Sequence, residues 1–133
     1  MTTIIPTGAV HHVTLTVSDV ERSEAFYNIL GFNHIAEFGP VALMHNGSVI
    51  LSLRPPPDPA QAIDDDRFNE NRIGLDHLSF AVGSHADLEA AVEVLDQHSV
   101  DRGEITDLPP FQIYILAFRD PDNIQVELTA PYG

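Results

Sequence analysis

Cysteine is absent from the 133 residues, and lysine is absent too, because all six basic residues are arginine. The first absence removes disulfides, zinc–thiolate sites and a cysteine nucleophile together. The second removes Schiff-base chemistry and the lysine of a phosphate-binding P-loop. Positive charge is scarce: six basic residues face twenty acidic ones, for a formal net charge of −14. A phosphate backbone needs a basic face, so nucleic acid is not an expected partner. The acidity reads as a solvated, self-repelling surface. No apolar run approaches the roughly 18–20 residues of a membrane-spanning helix. The start, MTTIIPTGAV, lacks the basic opening and long apolar core of a secretion signal, so a cytoplasmic setting is expected, with no membrane partner. The motifs G-x-G-x-x-G, G-x-S-x-G and H-E-x-x-H are missing as well.

What is present is an ordinary globular composition, 44% hydrophobic and 20% charged, at a length suited to one compact domain. Val10–Val17 alternates, with Val13, Leu15 and Val17 on one face and His12, Thr14 and Thr16 on the other. His11 shares the apolar face, which makes it a packing or rim residue. Ser18 with Glu21 three residues on is a capping-box signature. The helix it opens carries Val20, Ser23, Tyr27 and Leu30 at helical spacing and stops at Gly31. Apolar segments around Val41–Met44 and Val49–Leu53 flank His45-Asn46-Gly47-Ser48, a strong hairpin signal. Residues 54–73 hold four prolines and an acidic polar run, which suits a linker.

Beyond the linker the first pattern returns. Leu78, Phe80 and Val82 alternate with His77, Ser79 and Ala81, and a second helix opens at Ser84 with Leu88, Ala91, Val92 and Leu95 as its buried stripe. Segments Gln112–Phe118 and Ile124–Thr129 close the chain around the turn Arg119–Asn123. HVTLTVSDVERSEAFYNIL pairs with HLSFAVGSHADLEAAVEVL, so the chain reads β-α-β-β-β twice. The predicted fold is α+β, a single domain of two tandem modules, 8–53 and 74–131, whose strands form a curved, partly closed sheet around a cleft.

The repeat matches His12 with His77, each at the head of its module's first strand and opposite the apolar face. Glu127 falls on the equivalent face of the last strand, IQVELT. Two imidazoles and a carboxylate suit Fe, Mn, Ni, Co or Zn and leave coordination positions open for substrate. The predicted site is therefore a divalent metal held by His12, His77 and Glu127. A half-apolar cleft of that kind suits a small organic molecule.

The stretches His12-Val-Thr-Leu-Thr-Val, Phe26-Tyr27-x-x-Leu30-Gly31-Phe32, Asp76-His77-Leu-Ser-Phe-Ala-Val and Phe118-Arg119-Asp120-Pro121-Asp122-Asn123-x-x-x-Glu127-Leu128 resemble the vicinal oxygen chelate superfamily. That group includes glyoxalase I, extradiol dioxygenases, fosfomycin-resistance enzymes and bleomycin-resistance proteins. The resemblance spans residues 8–131 and implies metal ligation by His12, His77 and Glu127. It also implies a homodimer, in which a site can combine His12 of one subunit with His77 and Glu127 of the other. Glyoxalase I and its epimerase relatives take a fourth ligand from the last strand of the first module. Here Leu51 is aligned with Glu127 and cannot bind metal, which leaves a three-ligand set. Where extradiol dioxygenases carry a tyrosine ten residues before the metal glutamate, this chain has Ala117. Thr14, Leu51, Ser79, Tyr114 and Arg119 are the expected substrate contacts, and Glu127 doubles as the candidate base. Two functions stay open: metal-dependent, dioxygenase-like or lyase-like chemistry on a small substrate with vicinal oxygens, or sequestration of an antibiotic in the cleft. A charge of −14 favours a cationic guest in the second case.

Overall fold

A computed structural model describes residues 3–133, which divide into two compact units, one ending at Ala62 and the other spanning Ile63–Gly133. The boundary falls inside the Pro-rich linker, so the linker's second half folds with the second unit. Each unit has one helix packed on a four-stranded sheet. The strands form two four-stranded sheets, neither closed into a barrel.

In the first unit the order is β1 (His12–Thr16), α1 (Val20–Ile29), β2 (Asn33–Phe38), β3 (Val41–His45) and β4 (Ile50–Arg54), with β1 parallel to β4 and sheet order β1-β4-β3-β2. Asp19, rather than Ser18, caps α1: its Oδ1 accepts from the Arg22 amide at 3.1 Å, while the Ser18 hydroxyl accepts from the Arg22 guanidinium at 2.6 Å. The helix ends as Gly31 predicts. Gly31 adopts φ +88°, its amide bonds Asn28 O at 3.0 Å, and the Phe32 amide bonds Tyr27 O at 3.1 Å. That paired closure requires a left-handed residue, a conformation with a steric cost for any side chain beyond glycine. The hairpin turns at Asn46-Gly47, where Asn46 Oδ1 accepts from the amides of Ser48 and Val49. Phe26, Tyr27 and Phe32 stack edge to face and, with Leu15, Met44, Leu51 and Leu53, make the core of this unit. Strand β2 is exposed along its whole length and carries a bulge at Ile35.

The second unit repeats the plan with β5 (Leu78–Ala81), α2 (His85–Gln97), β6 (Thr106–Leu108), β7 (Ile113–Arg119) and β8 (Gln125–Pro131), in sheet order β5-β8-β7-β6. Ser84 caps α2 as predicted, accepting from the Asp87 amide. Leu88 and Leu95 on the helix, and Leu116, Phe118, Val126, Leu128 and Ala130 on the sheet, are buried. Asp120 Oδ1 closes the β7–β8 turn by accepting from the amides of Asp122 and Ile124, both at 2.8 Å.

Candidate metal centre

Because β5 runs parallel to β8, residues paired across the ladder share a face. Ser79 pairs with Glu127, and Ala81 with Thr129, while Leu78 and Phe80 pair with Val126 and Leu128 on the helix side. Glu127 therefore projects from the face opposite α2, beside the hydroxyls of Ser79 and Thr129, which bond one another. Across the ladder on the other side its neighbour is Ala117. His77 stands one residue ahead of β5, and its Nε2 lies 3.7 Å from Glu127 Oε1. Glu127 is 13% exposed and His77 38%, so the carboxylate is sheltered and the ring is reachable. Two donors about 2.0–2.2 Å from one cation, at near-tetrahedral or right angles, stand about 3.0–3.5 Å apart. The observed pair is a few tenths of an ångström wider, so nitrogen and oxygen fit a shared divalent ion after a small side-chain rotation.

The first unit places His12 at the head of β1, with Thr14 two residues on, both exposed on the face away from α1. One reading of the sequence needs correction. The parallel register pairs Val13 with Leu51 and Leu15 with Leu53, and pairs Thr14 with Ser52. Leu51 is thus a core residue, 1% exposed, on the helix side. The structural counterpart of Glu127 is Ser52, since Thr14 stands to Ser52 as Ser79 stands to Glu127. Leu51 neither lines the His12 face nor occupies the fourth-ligand position. Of the two readings of His11, packing or rim, the packing one does not hold. It is exposed, its ring meets that of His12 edge to face, and the two Nδ1 atoms are 2.9 Å apart.

Among the described residues no group of three or more His, Asp and Glu side chains is assembled as a ligand set. His77 and Glu127 are brought together within the second unit, and His12 belongs to the first. Tyr114 is not on the Glu127 face. It pairs with Ala130 on the helix side, with its ring 4.7 Å from that of His85 and 4.9 Å from that of Tyr132. Arg119 pairs with Gln125 and so is on the Glu127 face, but its guanidinium is engaged. It donates to both oxygens of Glu70, at 2.8 and 2.9 Å, and to Asn123 O at 3.2 Å. The hydrogen bond from Arg119 holds the Glu70 carboxyl down to about 2. This pairing, with a backbone bond from the Phe68 amide to Asp122 O and a side-chain bond from Asn123 Nδ2 to Phe68 O, straps the linker to the β7–β8 turn. A cavity of about 530 Å³ opens beside the strap, lined by residues 63–70, Arg72 and Asn123, and no candidate ligand lines it.

Sequence reasoning missed three groups here: Ser52, Glu70 and Asp76. The Asp76 carboxylate lies 2.7 Å from His77 Nδ1, and Gln125 Nε2 donates to the same oxygen at 2.9 Å. The adjacent Asp-His pair was a visible signal. The linker partner of Arg119 had none, because the ion pair spans 49 residues.

The sequence model of the Glyoxalase/Bleomycin resistance protein/Dioxygenase superfamily matches residues 9–128. Uncharacterized protein YwkD of Bacillus subtilis is 33% identical over 128 residues, covering 90% of this chain and 94% of that one. Uncharacterized protein YaeR of Escherichia coli is 33% identical over 129 residues, covering 90% and 93%. Among solved structures, a glyoxylase/bleomycin resistance protein/dioxygenase domain from Frankia sp. EAN1pec has a TM-score of 0.73 at 31% identity, covering 96% of this chain and 93% of that one.

Proposed function

The chain belongs to the Glyoxalase/Bleomycin resistance protein/Dioxygenase superfamily, and from that membership we propose that it is a metal-dependent enzyme acting on a small organic substrate with vicinal oxygens. In this reading His12, His77 and Glu127 hold one divalent cation. The observation that carries it is the approach of His77 Nε2 to Glu127 Oε1 at 3.7 Å on the polar face of the second sheet, with His12 at the repeat-equivalent place in the first.

A divalent cation bound there supplies Lewis acidity toward adjacent substrate oxygens. The chain's own groups do the rest. Ser79 and Thr129, hydrogen-bonded beside Glu127, offer hydroxyls that orient a substrate oxygen, and Thr14 does the same on the His12 face. Glu127, sheltered to 13% exposure, serves as the proton acceptor as well as a ligand. Ala117 across the ladder presents only a methyl group, so no phenol donates a proton from that side. Arg119 is paired with both oxygens of Glu70 and so does not act as a free anion clamp. The same reading has the protein working as a cytoplasmic homodimer. Among the described residues no helix is long and apolar enough to cross a membrane.

The test is elemental analysis of protein purified without an affinity tag. The expected result is a first-row divalent metal in stoichiometric amount, lost in His77→Ala and Glu127→Gln and weakened in His12→Ala. The competing reading, drug sequestration, draws on the net charge of −14. Metal-free protein that binds a cationic, bleomycin-like drug tightly, unaffected by His12→Ala and His77→Ala, would replace the enzyme reading with that one.

A further inference from the structure

The residue ahead of His77 turns back onto its ring. Asp76 Oδ1 lies 2.7 Å from His77 Nδ1. Gln125, the first residue of β8 and two before Glu127, donates from Nε2 to that same oxygen at 2.9 Å and to the Asp76 carbonyl at 3.2 Å. Both acceptors are oxygens, so the amide's NH2 end is the one that faces them. The carboxylate is therefore anchored by the strand that carries Glu127.

An ionised carboxylate only accepts hydrogen bonds. With one at Nδ1, that nitrogen carries the ring hydrogen, and Nε2 keeps its lone pair. Nε2 is the nitrogen that faces Glu127 Oε1. We propose that Asp76, held by Gln125, is a positioning residue that fixes the tautomer and direction of His77 so that Nε2 is presented toward Glu127. The inference rests on the reading of His77 and Glu127 as metal ligands.

The repeat supplies an internal comparison. His12 also meets the residue before it through Nδ1, at 2.9 Å from His11 Nδ1. A neutral imidazole donates or accepts at that atom, so His11 leaves the His12 tautomer free to change. Asp76 does not. The two candidate histidines are thus supported from the same side but unequally, and the fixed one belongs to the module that also holds the carboxylate ligand.

The test uses the full chain, free of metal and labelled with ¹⁵N. Long-range ¹H–¹⁵N correlation spectra above the ring's titration range identify which nitrogen of His77 is protonated. The Nδ1–H form is expected in the wild type, with a shift toward Nε2–H in Asp76→Ala. Asp76→Asn, which keeps an acceptor oxygen, should retain the wild-type form. Zinc affinity, measured by chelator competition, should fall about 10–100-fold in Asp76→Ala, less in Gln125→Ala, and return in Asp76→Asn. Asp76 is 66% exposed, so its two variants should melt with the wild type. An Nε2–H wild type, an Asp76→Ala protein with unchanged tautomer and affinity, or an Asp76→Asn protein as weak as Asp76→Ala overturns the proposal. A wild-type chain that takes up no zinc overturns the ligand reading instead, and the tautomer then decides the role of Asp76 by itself.

Discussion

Replacing Leu51 with alanine separates a pocket residue from a core residue. Leu51 is 1% exposed and shares the helix side of its sheet with its register partners Val13 and Met44. The substitution deletes three carbon groups, worth about 0.8 kcal/mol each or roughly 2.4 kcal/mol in transfer alone. A central strand between two neighbours collapses poorly, so a cavity cost adds to this and brings the total to about 3–4 kcal/mol. That is about two to three decades in the folding equilibrium. With a urea slope of about 1–3 kcal/mol per molar, the unfolding midpoint should drop by roughly 1–4 M. Urea unfolding followed by circular dichroism measures it, with Thr14→Ala as the control on the exposed face, expected within about 0.5 kcal/mol of wild type. A Leu51→Ala protein within about 1 kcal/mol of wild type, but with altered metal or ligand affinity, would refute the register argument. Leu51 would then belong to the site.

Three further outcomes follow from the same structure. Ser23 is fully buried on α1 and its hydroxyl has no partner among the described residues, so Ser23→Ala should stabilise the protein by about 1 kcal/mol, read as a rise in melting temperature. Glu70, held down to about 2 by Arg119 from an ordinary 4.5, is the depressed-carboxyl case. Its contribution to the strap is complete above about pH 4.5 and is lost as pH falls toward about 2. The protection of the Phe68 amide against hydrogen exchange, taken relative to the intrinsic rate at each pH, should fall across that window, whereas in Glu70→Gln it should already be low at neutral pH and change little on acidification. Tyr132 donates to Asp107, which pushes its phenol up to about 12 from an ordinary 10. The stabilisation it brings is full below about pH 10 and disappears as pH rises through about 12. Ultraviolet absorbance titration should show the Tyr132 phenol ionising late, and Asp107→Asn should move that step back toward 10.

Much of this protein was legible in its chain. Alternation in HVTLTV and IQVELT put His12 and Glu127 on polar faces, because one face of each strand is covered by a helix and the other is not. The Asn-Gly hairpin and the Gly31 stop are local chemistry, set by residues within a turn of one another. The repeat was visible because both modules bury the same stripe. The segment Val49–Leu53 shows where this kind of reading stops. Its residues are buried or half-buried on both faces, with Ser52 at 4% exposure between Leu51 at 1% and Leu53 at 0%. Period-two contrast vanishes there, and a one-residue slip exchanges core for site.

The sequence by itself therefore determined the two-module α+β plan, the Gly31 helix stop and the faces of His12, His77 and Glu127, all of which rest on spacing along one strand or helix. Only tertiary structure decided that Ser52, not Leu51, is the counterpart of Glu127, and that Tyr114 turns toward α2. It also decided that Glu70 occupies Arg119 and that Gln125 anchors Asp76. Each of these depends on register between strands or on pairs 49 residues apart. Pairing across a sheet is set by how whole elements dock, and no local period in the chain encodes it.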